Sequence, residues 1–248
     1  LSIGIVSAGR VGSALGSALR AAGHTIVGAH APSEASLDRL GAMLPGVPSL
    51  SVEEVARRAE VLLFAVPDDE LGPLVEGLAK LGCFTAGQLA IHVAGRYGVS
   101  VLEPAARAGA LTLAIHPAMT FTGTSLDVAR LVGCPFAVTA PATLLPIGQA
   151  LVTETGGTPV VVAEEDRGLY HAALAHGANH LVTLVAQSMR VLEAIGVEAP
   201  GAYLAPLLQA ALDGTLGSGE SALTGPVARG DVGTVREHLA SLDALAAT

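Results

Sequence analysis

Seven short apolar runs, at residues 2–6, 25–29, 61–66, 88–93, 111–115, 136–139 and 158–162, recur through the first two-thirds of the chain. Each is continuously apolar rather than alternating, the pattern of a strand covered on both faces. Helix-like stretches separate them, at 11–22, 33–44, 52–58, 69–80, 100–108 and 142–155. Strand and helix alternating at this spacing predict an α/β fold built on a doubly wound parallel sheet.

The alternation stops after 162. The stretch AEEDRGLYHAALAHGANHLVTLVAQSMRVLEAIG (163–196) carries no strand signal, is acidic at its start and ends at Gly196. It reads as one amphipathic helix of about 30 residues, against a usual mean of about 12. Pro200 and Pro206 punctuate the next segment, followed by a glycine-rich stretch at 214–219, a proline-bearing start at 224–226 and a last helix at 231–246. Residues 1–163 are therefore expected to form the sheet domain and residues 164–248 a smaller all-helical one. A helix so long in so small a domain has a face left to bury, which predicts a homodimer through the helical domain.

Composition excludes several classes. With 51% hydrophobic and 14% charged residues the chain is not disordered, and 248 residues suffice for a sizeable core. No run reaches the roughly 18 apolar residues of a membrane span. The densest, VLLFAVP at 61–67, is strand length and runs into Asp68 and Asp69. Leu1 enters a strand pattern with no basic segment ahead of it, so no signal peptide is expected and a cytoplasmic location is. The net charge of −9, 13 scattered Lys and Arg residues and 3% aromatic content disfavour nucleic acid as a partner. Cys83 and Cys134 are too few for a disulfide framework or a metal site and read as buried, reduced thiols.

The sequence GIVSAGRVGSALGSAL (4–19) follows the first strand directly and opens a helix, the setting of a turn that cradles a dinucleotide pyrophosphate. Three glycines there serve a tight turn, close approach of backbone to phosphate, and close packing of helix on strand. Gly9 and Gly12 hold the second and third positions; Ser7 stands at the first. Ser7, Ala8, Gly9, Arg10, Val11 and Gly12 form the candidate phosphate loop, with the positive end of the helix dipole at 9–11. The competing reading is a packing turn that binds nothing. At the end of the second strand an acid would hold the ribose 2′-hydroxyl of NAD. GAHAPSEAS (28–36) has no acid at 28–31, and His30 and Ser33 suit a 2′-phosphate, which favours NADP with NAD as the alternative.

His116 closes an apolar strand and precedes Pro117, whose ring forces an extended or turn geometry on it. Ligands of open α/β sheets bind at such strand ends. An imidazole of near-neutral pKa would suit the proton movement that accompanies hydride transfer; a capping or packing role is the alternative. Thr120 and Thr122 in the following loop are candidate substrate donors. Asp68 and Asp69 read as an N-cap and first-turn acid of a helix rather than an acid/base pair. His176, Asn179 and His180 share one face of the long helix, with His171 off it. No third ligand accompanies the two histidines, so no metal is expected. In TGPVARGD (224–231), Arg229 either pairs with Asp231 or holds a substrate carboxylate or cofactor phosphate.

Five stretches resemble the 6-phosphogluconate-dehydrogenase-like superfamily: SAGRVGSAL (7–15), LLFAVPDDEL (62–71), AIHPAMTFTG (114–123), HAALAHGANHLVTLVA (171–186) and LTGPVARGDVGTVREHL (223–239). The resemblance is strongest to a bacterial family in which a Rossmann-like oxidoreductase domain precedes a C-terminal helical domain of unknown function. It implies a Rossmann-type doubly wound parallel sheet, dinucleotide-binding over 1–163, followed by a smaller all-helical substrate and dimerisation domain. It implies an oxidoreductase acting on a small carboxylated or hydroxylated metabolite in an interdomain cleft; the alternative is a dinucleotide-binding or ligand-sensing protein without turnover. Val66 and Pro67 at one strand end, and Ala94 and Gly95 at another, would flank the cofactor, with Gly95 leaving room for a ring. His116 would orient the substrate or exchange a proton with it, as a similar His-Pro step does in prephenate dehydrogenases. β-Hydroxyacid dehydrogenases and ketopantoate reductase carry a catalytic lysine on the long helix and an asparagine one turn on. Asn179 fits the asparagine, and His176 stands in the turn where the lysine would be. The chain's only lysine is Lys80.

Overall fold

A computed structural model describes residues 1–246. The strands are β1 (Ser2–Val6), β2 (Thr25–His30), β3 (Val61–Phe64), β4 (Leu89–His92), β5 (Leu111–Pro117), β6 (Pro135–Thr139) and β7 (Thr158–Val161). The helices are α1 (Arg10–Ala21), α2 (Glu34–Met43), α3 (Val52–Arg58), α4 (Asp68–Lys80), α5 (Glu103–Arg107), α6 (Leu126–Arg130), α7 (Leu145–Glu154), α8 (Arg167–Ala194), α9 (Pro200–Ser218), α10 (Gly225–Arg229) and α11 (Val232–Ala246). The chain divides into two compact units, Leu1–Ala175 and His176–Thr248, and α8 belongs to both.

In the first unit the strands form one sheet in the order β2-β1-β3-β4-β5-β6-β7. Ile3, Ile5, Leu63, Leu113 and Val138 face one side, against Leu15 of α1, Leu44 and Leu151 of α7. Leu62, Phe64 and Ala90 face the other, against Val55 of α3 and Leu71 and Val75 of α4. Both faces are covered along β1 to β6, which is why those strands read as unbroken apolar runs; β7, at the edge, is largely exposed although its run is as apolar. Capping boxes start two of the covering helices, Ser33 with Ser36 at α2 and Ser51 with Glu54 at α3.

β1 to β5 run parallel, so their C-terminal ends share one edge. The sheet is the expected doubly wound, mostly parallel one, with one reversal: β6 is antiparallel to β5, and β7 is parallel to β6. A parallel return needs a crossover to the far end of the sheet. Here the connection carries only the five-residue α6, an element without a sequence signal of its own, and its Gly123 lies beside Arg10 at the start of α1. The chain stays at the C-terminal edge and sets off backwards. β5 is thereby extended: β4 pairs with it only as far as Ala114, and β6 carries it on to Pro117.

In the second unit, the segment expected to be broken by Pro200, Pro206 and the glycines is one 19-residue helix, α9. Pro200 falls at its first position, where no N–H is needed, and Pro206 is tolerated inside it at the loss of one backbone bond. The long helix spans 28 residues, and Glu164, Glu165 and Asp166 lie just ahead of its first residue rather than in its first turn. Among the described residues, no helix is long and apolar enough to cross a membrane.

Candidate functional site

The turn between β1 and α1 has the open N–H groups that a phosphate needs. The first helical bond runs from the Ser13 N–H to the Gly9 carbonyl at 3.1 Å, so the N–H groups of Arg10, Val11 and Gly12 precede any helical acceptor. Ala8 is tied back to the end of β2 by its N–H to the His30 carbonyl, 2.7 Å, and its own carbonyl accepts from Ser13 Oγ at 3.1 Å. A Cβ at Gly12 would meet the Ser7 carbonyl oxygen at 2.2 Å and Ala65 Cβ at 3.2 Å, so only glycine lets α1 approach the sheet so closely. At Gly9 the nearest atom to such a Cβ is Ser7 Oγ at 3.5 Å; the space over Gly9 is open.

Ser7 adopts φ +79°, a left-handed conformation normally left to glycine. The turn therefore keeps its glycine geometry with a serine in place, at a cost of about 1–2 kcal/mol. His30 is half-buried at the end of β2. Ser33 spends its hydroxyl on the α2 cap, accepting from the Ser36 N–H at 3.2 Å. Val66 is half-buried and Pro67 exposed, and Pro67 itself is the N-cap of α4. Asp68 and Asp69 stand in the first turn of α4, 3.9 and 3.6 Å from the guanidinium of Arg96.

Three strands along the same edge, about 14 Å from the β1 turn by strand spacing, β5 delivers His116. Its Nδ1 is 2.8 Å from Tyr170 Oη, and its ring stands edge-on to both Tyr170 and His171. Gly95 lies against this pair: a Cβ there would be 2.5 Å from His171 Cδ2 and 2.9 Å from His116 Nε2. The room that Gly95 leaves is taken by these two imidazoles. His92, one strand over, is fully buried. Its Nδ1 accepts the Ala94 N–H at 3.1 Å, so its proton resides on Nε2, which donates to the Gly98 carbonyl at 2.7 Å. That ring fixes the loop bearing Ala94 and Gly95.

The start of α8 is fastened to the same place by Arg167. Its Nε donates to Thr139 Oγ1 at 2.8 Å, and its Nη2 to the carbonyls of Ala114 and Ala137 at 2.9 and 3.1 Å. Glu164 accepts from the N–H groups of Val99 and Ser100 at 2.6 and 3.0 Å. Burial is the main force on His116, followed by the Arg167 charge, and together with His171 and His92 they push it down to about 4. His92 is held at about 4 by burial as well. The expectation of a near-neutral His116 is thus corrected: the imidazole is neutral at pH 7. His92, Arg167, Tyr170 and His171 join His116 without having been singled out from sequence. A histidine closing the apolar run LAIH, and the Arg-x-x-Tyr-His spacing at a helix start, are the signals that could have found them.

The remaining candidates stand elsewhere. Thr120 and Thr122 are exposed, and Thr122 is turned inward to its own loop: its N–H and Oγ1 donate to the buried Asp127 carboxylate at 3.1 and 2.9 Å. His176, Asn179 and His180 belong to the second unit and are exposed, the two histidine rings 4.2 Å apart. His180 Nδ1 is 2.8 Å from the His176 carbonyl, and the Asn179 carbonyl accepts from Thr183 Oγ1. Arg229 pairs with Asp231 at 3.4 Å on the surface. Among the described residues, no three His, Cys, Asp or Glu side chains are grouped to hold a metal ion.

The sheet order, the glycine turn and the strand-edge site define a Rossmann-fold protein. Residues 1–117 match the model of a Rossmann-like domain, and residues 134–248 that of a domain of unknown function, DUF2520. The two matched domains follow one another in this chain. Among solved structures it is similar to a candidate NADP oxidoreductase from Bacteroides fragilis, with 21% identity, a TM-score of 0.82, and coverage of 97% of this chain and 90% of that one. A protein from Thermotoga maritima matches at 22% identity and TM-score 0.69, over 95% of this chain and 87% of that one. Pyrroline carboxylate reductase from Plasmodium falciparum, solved with NADP bound, matches at 14% identity and TM-score 0.65, over 99% and 92%. At these identities the likeness is one of fold. No curated protein matches the sequence.

Two outcomes follow from this geometry. Ser7→Gly is expected to raise folding stability by about 0.5–1 kcal/mol, the relief of left-handed strain less the freedom glycine adds to the unfolded chain. Denaturant unfolding measures it, and an unchanged or lower midpoint contradicts the strain. His92 and His116, near 4 when folded and near 6.5 when unfolded, let the unfolded chain take up protons that the folded one refuses. Stability should therefore fall as pH drops from about 6.5 to about 4, and histidine NMR signals at 92 and 116 should keep their neutral form to about pH 5. A His116 midpoint near 6.5 would contradict the burial argument.

Proposed function

We propose that the chain is an NADP-preferring oxidoreductase, with NAD as the alternative cofactor, acting on a small carboxylated or hydroxylated metabolite. The observation that carries this reading is the common edge: the open N–H groups at 10–12 and the half-buried His116 end strands of one parallel set. The residues present fit a dinucleotide. Gly9 gives a phosphate open backbone, Gly12 keeps the helix against the sheet, and His30, half-buried at the end of β2, would meet a 2′-phosphate, with Ser33 beyond it engaged in the α2 cap. When bound, the nicotinamide supplies or accepts the hydride.

The chain's own residues do the rest. Neutral His116, hydrogen-bonded to Tyr170, presents a polar edge to the carbonyl or hydroxyl of the substrate and orients it. Ala94, on the loop held by His92, would border the cofactor, with Gly95 giving its room to the His116 and His171 rings, while Val66 and Pro67 border the turn to α4. Thr120, exposed on the loop after β5, is the further candidate for substrate contact within the first unit. A dinucleotide-binding sensor without turnover is the second reading, favoured by the strained Ser7 and by an imidazole too weakly basic to take a proton readily at pH 7.

The second unit supports a homodimer. Within α9 only Pro200 and Leu204 are buried, while Val182, Leu184, Tyr203, Leu207 and Leu216 are each at least 60% exposed. Apolar surface on this scale in a small helical unit calls for a partner, and a second copy supplies one symmetrically. Sedimentation should give twice the chain mass; a single-chain mass at micromolar concentration contradicts it.

Nucleotide binding is tested by a pair of substitutions. Gly9→Ala, at the α1 N-cap, should cost no more than about 1 kcal/mol of folding stability and weaken NADP binding at least about ten-fold. Gly12→Ala should cost about 1–3 kcal/mol of stability through its clash with the Ser7 carbonyl. Thermal shift with NADP and NAD reads both. Unchanged NADP affinity in Gly9→Ala overturns the loop assignment, and binding of the nucleotide without hydride transfer to any of a panel of keto acids favours the sensor.

A further inference from the structure

Arg167 is only 1% exposed, and among the described residues no carboxylate pairs with it. Its Nε and Nη2 bond neutral oxygens, and Nη1 is buried without any acceptor. Glu164, three residues earlier, lowers the electrostatic cost but spends its oxygens on the N–H groups of Val99 and Ser100. A buried guanidinium is ordinarily compensated by an acid, because desolvating an unpaired charge is expensive. This one is left positive.

Besides Glu164, the groups around it add no negative charge: His92 from β4, His116 from β5 and Tyr170 from α8, with His171 against the His116 ring. The Tyr170 ring centre is 5.9 Å from the Arg167 guanidinium carbon, and its hydroxyl reaches His116. Burial pushes the Tyr170 phenol up, which keeps it protonated, and burial with the Arg167 charge keeps His116 neutral. His116, Tyr170 and His171 are half-buried, while Arg167 behind them is buried. The buried Arg167 charge, with Nη1 unpaired, and three polar rings complement an anion, while the Glu164 carboxylate is turned to the Val99 and Ser100 N–H groups. The single Arg167 charge suits a monoanion better than a phosphate dianion.

We propose that His116, Tyr170 and His171, backed by Arg167, form a subsite for the carboxylate of a small metabolite. The choice of a metabolite rests on the oxidoreductase reading; the anion site itself rests on residues of the first unit alone.

Lactate and its neutral isostere lactamide test this, each titrated into the full-length protein at pH 6 with histidine signals followed by NMR. Lactate should move the His116 and His171 signals, with His116 shifting toward its protonated form as negative charge arrives, at millimolar concentration. Lactamide should bind at least about ten-fold more weakly. Arg167→Met should abolish the lactate response while NADP affinity stays within about two-fold. Should that variant not fold, Tyr170→Phe combined with the lactate–lactamide ratio of the unaltered protein decides the matter, the ratio holding and His116 losing its Tyr170-linked signal position. Equal binding of the two probes, no response to lactate at about 50 mM, tighter binding of inorganic phosphate than of lactate, or an undiminished response in folded Arg167→Met would each overturn the proposal. Lactate binding with no NADP binding would remove the oxidoreductase reading and leave the anion site standing.

Discussion

The guanidinium of Arg167 holds together everything that distinguishes this Rossmann unit from a bare nucleotide scaffold. It crosses from the first residue of α8 to carbonyls on both β5 and β6, at the point where the sheet changes from parallel to antiparallel. With that anchor in place, Tyr170 and His171, one turn further on, fall beside His116. The same contact brings a positive charge behind the cluster, so position and electrostatics have one origin. The antiparallel β6 matters for the same reason, since it carries β5 past the end of β4 and leaves His116 at the rim.

The glycine turn shows the opposite economy. Gly12 is fixed by contact, because any Cβ would collide with the Ser7 carbonyl, whereas Gly9 is fixed by nothing in the protein. A glycine required by packing and one with open space above it thus stand within three positions of one loop. Ser7 takes the left-handed backbone of the glycine it replaces, so the path of the chain is retained and the strain is carried locally. The loop is preserved as geometry even where its sequence departs from the glycine pattern.

Much of the fold was legible in the sequence because burial on both sheet faces leaves unbroken apolar runs, as at 61–64 and 89–92, and because capping residues such as Ser51 mark helix starts. The reversal of β6 was not, since strand direction depends on where a connection ends in space and α6 has too few residues to announce itself. The continuity of α9 was hidden by Pro206, whose local penalty the rest of the helix outweighs. At the site, His116 was legible from its strand end and Pro117. Its partners were harder to find: His92 closes an apolar strand, and Arg167, Tyr170 and His171, though close-spaced on one helix start, lie about 50 residues beyond His116, with nothing local to join them to it. Its protonation state was misread because an exposed histidine and one buried near an arginine look alike in sequence.

The central claim is that one nucleotide, bound along a single sheet edge, spans from the β1 turn to His116. Histidine NMR of the full-length protein with and without NADP tests it most directly. His30 and His116 should shift together, with His24, paired to Glu154 ahead of β2, unmoved as the internal control. Movement of His30 without His116, or no movement of either at saturating nucleotide, would contradict the account.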